Sequence, residues 1–144
     1  MKESSEAVEI LLIEDNPGDV RLTREALRDG RVCNELLVHS DGDEALAMLR
    51  DRVKRGQARP GLILLDLNLP GRNGFQILDD LKSSETLRLI PVIVLTSSAA
   101  ERDVIASYEK RANAYMAKPI DIDEFLTSIR TLGDFWLSVV KLPK

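Results

Sequence analysis

The sequence predicts an α/β fold: a doubly wound, five-stranded parallel sheet in the order 2-1-3-4-5, with five helices. Three observations predict it. Strand-like and helix-like segments alternate five times, the pattern of a parallel sheet covered by helices on both faces and joined by right-handed crossovers. The run Leu62-Ile63-Leu64-Leu65 places four aliphatics in a row ahead of a turn at Pro70-Gly71. Such a run reads as a strand buried on both faces, which belongs to a parallel sheet. The length of 144 residues suits a single domain, domains averaging about 150 residues. Of the doubly wound orders, 2-1-3-4-5 suits a chain of five strands.

Each element has its own signal. Residues 8–13, Val-Glu-Ile-Leu-Leu-Ile, read as strand one. Asn16 is a good N-cap, and Pro17 costs no hydrogen bond at the first helical position. That helix carries Val20, Leu22, Ala26 and Leu27 and stops near Gly30. Residues 35–39 read as strand two. Asp41-Gly42-Asp43-Glu44 gives a capping-box signal, and Ala45, Leu46, Leu49 and Val53 line one face of the helix behind it. Gly56 and Pro60 close that segment. Strand three is the run at 62, followed by a helix capped by Asn73 and carrying Phe75, Ile77, Leu78 and Leu81. Residues 83–86 break it. Residues 91–95 read as strand four, and Ser98 to Glu101 open a helix to about Lys110. A short fifth strand covers 113–117. A last helix runs from Asp121 to about Lys141, its entry stapled by Ile120 against Phe125.

Composition narrows the function classes. With 44% hydrophobic residues the chain can bury a sizeable core, and its net charge of −4 argues against non-specific nucleic-acid binding. The first six residues have no apolar core, so they do not read as a signal peptide. No apolar run approaches a membrane span. One cysteine, Cys33, forbids an intrachain disulfide and fits a cytoplasmic location. The reading is one domain over 1–144, with an extended last helix over about 121–141. The stretch after Pro119 has room for one helix and a tail, so no output domain is expected.

The chemistry concentrates at strand ends. In open α/β sheets ligands bind beyond the carboxyl ends of the strands, at the switch point between strands one and three. Those strands end at Glu14-Asp15 and Asp66. Clustered carboxylates repel one another and call for a cation, and oxygen-only ligands suit Mg2+. Strands four and five bring Thr96 and Lys118 to the same rim, where a hydroxyl and an ammonium suit phosphoryl oxygens. Asp66 then has the makings of a nucleophile that forms an acyl phosphate.

Glu14-Asp15, Asp66, Thr96 and Lys118-Pro119, each at a strand end, resemble the receiver domain of bacterial two-component response regulators. The resemblance covers the chain to about residue 130. It implies that Asp66 accepts a phosphoryl group from a phosphohistidine of a partner histidine kinase. It implies that Asp15 ligates Mg2+ directly, Glu14 acts largely through water, and Asn68 offers its backbone carbonyl. Thr96 would hydrogen-bond the phosphoryl oxygen, Lys118 would pair with it, Pro119 would follow a cis bond, and Tyr115 would be the switch aromatic moving with Thr96. More narrowly, Glu14 to Asp19, Asp66 to Gly71 and the Phe135-Trp136 tail resemble small regulators paired with bacterial phytochrome kinases.

Simpler readings stand beside these. Isolated acids at a helix start merely cap it, Thr96 and Lys118 taken singly are ordinary strand-end and surface residues, and Tyr115 serves packing as well as switching. His39 reads as a strand residue far from the site, so the phosphodonor histidine comes from another protein. Arg50-Asp51-Arg52 and Lys54-Arg55 read as a solvated helix face. An aspartyl phosphatase would want Asp in place of Asn68. A flavin carrier would want a hydroxyl- and glycine-rich loop after strand one. A phosphorylation-independent interaction module is the third alternative. Finally, the last helix would run about 31 Å at 1.5 Å per residue, beyond the roughly 17–20 Å of a strand. Ile122, Ile129, Phe135, Trp136, Val139 and Val140 form an apolar stripe along it, which reads as a homodimer interface.

Overall fold

The computed structural model describes residues 8–30, 34–69, 71, 73–96, 112 and 114–130. Five parallel strands, β1 (Val8–Ile13), β2 (Asn34–His39), β3 (Leu62–Asp66), β4 (Val92–Thr96) and β5 (Ala114–Ala117), form one sheet in the order β2-β1-β3-β4-β5. This is the flavodoxin-like order expected from the sequence. Described helices are α1 (Pro17–Asp29), α2 (Gly42–Lys54), α3 (Gly74–Ser83) and α4 (Ile122–Arg130). The helix expected over 98–110 lies outside the described residues. So do the far part of the last helix and its Phe135, Trp136, Val139 and Val140, together with Cys33.

Side chains alternate across a strand, so each strand feeds two cores. Leu11, Ile13, Ile63, Leu65, Val92 and Val94 pack with Ala45, Leu46 and Leu49 of α2 and Ile77, Leu78 and Leu81 of α3. The opposite set, Ile10, Leu12, Leu62, Leu64, Ile93, Leu95 and Met116, packs with Leu27 of α1 and Phe125 of α4. β3 and β4 are buried along their whole length. That explains why they read as unbroken aliphatic runs rather than alternating ones. Ile120 and Phe125 are buried in the same core, as a staple at the entry of α4 requires.

Helix starts follow their capping residues. The Asn16 side chain accepts from the Asp19 N–H, and Asp41 accepts from the N–H groups of Asp43 and Glu44. Asn73 and Gln76 form a reciprocal capping box, the Gln76 side chain returning the bond to the Asn73 N–H. Asp121 accepts from the Glu124 N–H. The turn after β3 needs Gly71, whose φ is +75.

Two expectations are corrected. Arg52 does not belong to a solvated face: its guanidinium grips both carboxylate oxygens of Glu9 and also donates to the Ala58 carbonyl. His39 is not remote from the acidic end of the sheet, since its carbonyl accepts the Glu14 N–H at 2.9 Å. Both partners lie far apart in the chain, and no local pattern announces them.

Candidate functional site

Backbone pairing carries the chain past the strand ends and fixes what stands there. Glu14, one residue beyond β1, is held by its N–H to the His39 carbonyl. Its Oε2 accepts from the Asn16 N–H at 3.2 Å. The helix cap and the buried acid are therefore parts of one turn. At the end of β3, Asp66 Oδ1 accepts from the Asn68 N–H at 3.1 Å, and the Leu67 N–H donates to the Leu95 carbonyl at 2.9 Å. The Lys118 N–H donates to the Thr96 carbonyl at 2.8 Å, which ties the ends of β4 and β5 together. The Lys118-Pro119 bond is cis.

Strand parity decides which groups meet. Glu14, Asp66 and Lys118 continue the alternate positions of Ile10 and Leu12, Leu62 and Leu64, and Ala114 and Met116. All three therefore fall on the side covered by α1 and α4. The Lys118 ammonium lies 3.0 Å from Glu14 Oε1, 3.4 Å from Asp66 Oδ2 and 2.7 Å from Asp19 Oδ2. Thr96, buried at the end of β4, has the opposite parity and shares it with Val92 and Val94. Tyr115 packs on that same core.

Electrostatics follow from burial. Burial of the Glu14 carboxylate, with Asp66 beside it, pushes its pKa up to about 7, against the opposing hydrogen bonds from Lys118 and the Asn16 N–H. Burial alone would depress the Lys118 ammonium. Hydrogen bonds to Asp19 and Glu14 and the charge of Asp66 outweigh it and hold the group above its ordinary value.

Glu14, Asp15 and Asp66 each offer a carboxylate oxygen within 4.8 Å of the others, two of them buried and Asp15 exposed. An all-oxygen donor set, half open to water, fits a hard divalent cation that keeps several of its waters. The Lys118 ammonium contacts three carboxylates, those of Glu14, Asp19 and Asp66, and Asp15 adds a further acid beside Glu14 and Asp66, so the basin carries excess negative charge that such a cation offsets.

Residues 10–130 match the response regulator receiver domain. The chain belongs to this family. Response regulator Rcp1 of Synechocystis sp. is 41% identical over 142 residues, covering 98% of this chain and 97% of that protein. A crystal structure of the Mn(2+)-bound form of response regulator Rcp1 is 40% identical with a TM-score of 0.71, covering 95% of this chain and 99% of that one. The phosphorylated cyanobacterial phytochrome response regulator RcpA is 40% identical with a TM-score of 0.73, covering 96% of this receiver chain and 99% of RcpA. This receiver therefore stands close to small phytochrome response regulators.

In this receiver, Glu14, Asp15, Asp66 and Lys118 come together as the strand ends imply, and Thr96 flanks them from β4. Asn68 is exposed beside Asp66. Of the stripe expected on the last helix, Ile122 is half-buried on its own domain: a Cβ at Gly30 would lie 2.1 Å from its Cγ1. Ile129 lies in α4 as well. Sequence reasoning gave no role to Asp19. The available signal was its place three residues after the Asn16 cap, which seats it over the end of β1.

Proposed function

We propose that this chain is a phosphorylation-driven signalling switch. Asp66 accepts a phosphoryl group from a phosphohistidine of a partner histidine kinase, and other proteins read the result. The observation that carries the reading is the buried Asp66 carboxylate, held 3.4 Å from Lys118 and grouped with Glu14 and Asp15. An Asp66 carboxylate oxygen attacks phosphorus, a new O–P bond forms, and the N–P bond of the donor breaks. The electron pair leaves with the imidazole, which takes its proton from solvent. Lys118 pairs with the phosphoryl oxygens, and Thr96 donates its hydroxyl to one of them. Glu14, Asp15, Asp66 and the Asn68 carbonyl are the groups that would hold Mg2+, whose chemistry is to neutralise charge on the transferring oxygens.

Thr96 and Tyr115 form the switch in this reading. They share one side of the sheet, and the Thr96 carbonyl is bonded to the Lys118 N–H, so a shift of Thr96 toward the phosphoryl group reaches β5 directly. The likeness to RcpA, a phosphorylated cyanobacterial phytochrome response regulator, supports a phytochrome-type kinase as the partner. The single domain over 1–144, the cytoplasmic location and a homodimer built on the stripe from Ile129 to Val140 complete the proposal. They are supported by the sequence pattern; among the described residues, no helix is long and apolar enough to cross a membrane.

Incubation with acetyl phosphate and Mg2+, followed by intact-protein mass measurement, tests the reading. Wild type gains one phosphoryl group. Asp66→Asn, which keeps the shape but removes the nucleophile, gains none. A phosphoryl group on that variant at the wild-type rate overturns the assignment, and none on wild type leaves a phosphorylation-independent interaction module.

A further inference from the structure

Asp19 makes the shortest contact that Lys118 has with any carboxylate of the basin, 2.7 Å against 3.0 Å to Glu14 and 3.4 Å to Asp66. Phosphoryl transfer to Asp66, with Lys118 and Thr96 on the phosphoryl oxygens, gives it no task. We propose that Asp19 is a positioning residue that anchors the Lys118 ammonium and keeps its remaining N–H donor aimed at Asp66, where the phosphoryl oxygens arrive. This inference rests on the phosphoryl-acceptor reading and adds a residue to it.

An ammonium has three donors and no acceptor. Here three carboxylates share them. The two short contacts hold the head group, and the long one, to Asp66, is the contact that incoming phosphoryl oxygens replace. The two anchors are not equivalent. Glu14 is one of the three acids grouped as a cation site, so Lys118 shares it with any bound cation. Asp19 lies outside that group, and it is the anchor that a cation does not compete for.

The anchor is also stiff. Asp19 sits in the first turn of α1, its N–H bound to the Asn16 side chain at 3.0 Å, with Pro17 fixing φ at the first helical position two residues before it. Its side chain is 29% exposed while that of Lys118 is only 9% exposed. The pair is thus shielded from water on the lysine side, where a charged hydrogen bond is stronger than at the surface. A flexible four-carbon stem loses rotamer freedom when it is held in one geometry. An anchor already in place bears that cost before the phosphoryl group arrives.

The sign of one substitution separates this role from a simple field effect. If Asp19 acted only through its negative charge, its removal would ease the entry of an anionic group and tighten binding. As an anchor, its removal loosens Lys118 and weakens binding.

The test titrates the full chain with beryllium chloride and sodium fluoride in saturating Mg2+, following the beryllofluoride adduct by fluorine NMR. Asp19→Asn is expected to bind about fivefold more weakly, within the coupling usual for residues in contact. Asp19→Glu, which restores the charge on a longer stem, recovers part of that loss. In the metal-free protein, the Lys118 side-chain ammonium protons exchange with solvent faster in Asp19→Asn than in wild type. If Asp19→Asn does not fold, as judged by its amide spectrum, Asp19→Ser takes its place in both measurements. Equal or tighter beryllofluoride binding, or unchanged ammonium exchange, overturns the anchor. Failure of wild type to bind beryllofluoride overturns the phosphoryl-acceptor reading beneath it.

Discussion

Glu14 joins β1 to α1 with its carboxylate out of water, its N–H on His39 and its side chain on Lys118. Burial and the neighbouring Asp66 raise its pKa from 4.5 to about 7, so the fold prefers the protonated acid. The contribution of Glu14 to stability is therefore fully present below pH 4.5 and lost as pH rises through about 7. In chelator, the urea midpoint of wild type is expected to fall as pH rises from 4.5 to about 7. Glu14→Gln flattens that segment, and an unchanged slope in the variant assigns the titration to another group. Binding of a divalent cation, which needs the ionised acid, should release protons near neutral pH and more of them at pH 6 than at pH 8, to order of magnitude.

At the scale of elements, Gly74 governs how α3 meets the loop that follows Asp66. A Cβ there would lie 2.6 Å from the Asp66 carbonyl oxygen and from the Leu67 Cα, while the Gly74 N–H donates to the Leu67 carbonyl at 2.9 Å. Gly74→Ala is expected to lower stability by about 1–3 kcal/mol, the usual cost of overpacking. It should also slow phosphoryl uptake at Asp66. Chemical denaturation and a timed acetyl phosphate reaction check the two effects. Element starts were legible because each cap is a local pattern: Asn16 with Pro17, Asp41, Asn73 and Asp121. The strand edges drifted by a residue. β4 begins at Val92, since Pro91 has no N–H to give the ladder, although its carbonyl accepts from Ile63. The Gln76 half of the α3 cap, the grip of Arg52 on Glu9 and the bond from Asp19 to Lys118 escaped the sequence. The last two join residues 43 and 99 apart, and charge identity alone does not say which acid meets which base.

For the whole molecule, the sheet separates two cores and gives each end of the strands a different duty. At the amino-terminal rim, Glu9 and Arg52 fasten β1 to α2 far from the acidic basin. At the carboxyl rim, α1 and the ends of β1, β3 and β5 assemble the chemistry. α4 uses Phe125, Ile122 and Leu126 against its own sheet. In the proposed homodimer, the apolar positions further along the chain, Phe135, Trp136, Val139 and Val140, would meet the second copy. Sedimentation at micromolar concentration is expected to show two chains for wild type and a shift toward one for Trp136→Ala. An unphosphorylated wild type that sediments as one chain rules out constitutive pairing, and an unchanged dimer in the Phe135/Trp136 double alanine variant moves the interface elsewhere. The glycines carry a further consequence, for how such a chain can change over generations. At Gly30 and Gly42 the space is taken by the side chains of Ile122 and Ile77, so a larger residue can be accommodated if its neighbour shrinks. At Gly74 the obstacle is backbone, and no second substitution trims a carbonyl oxygen. The first two positions can drift in concert with a partner. Position 74 has no such suppressor, and its constraint comes from the peptide that joins Asp66 to Leu67.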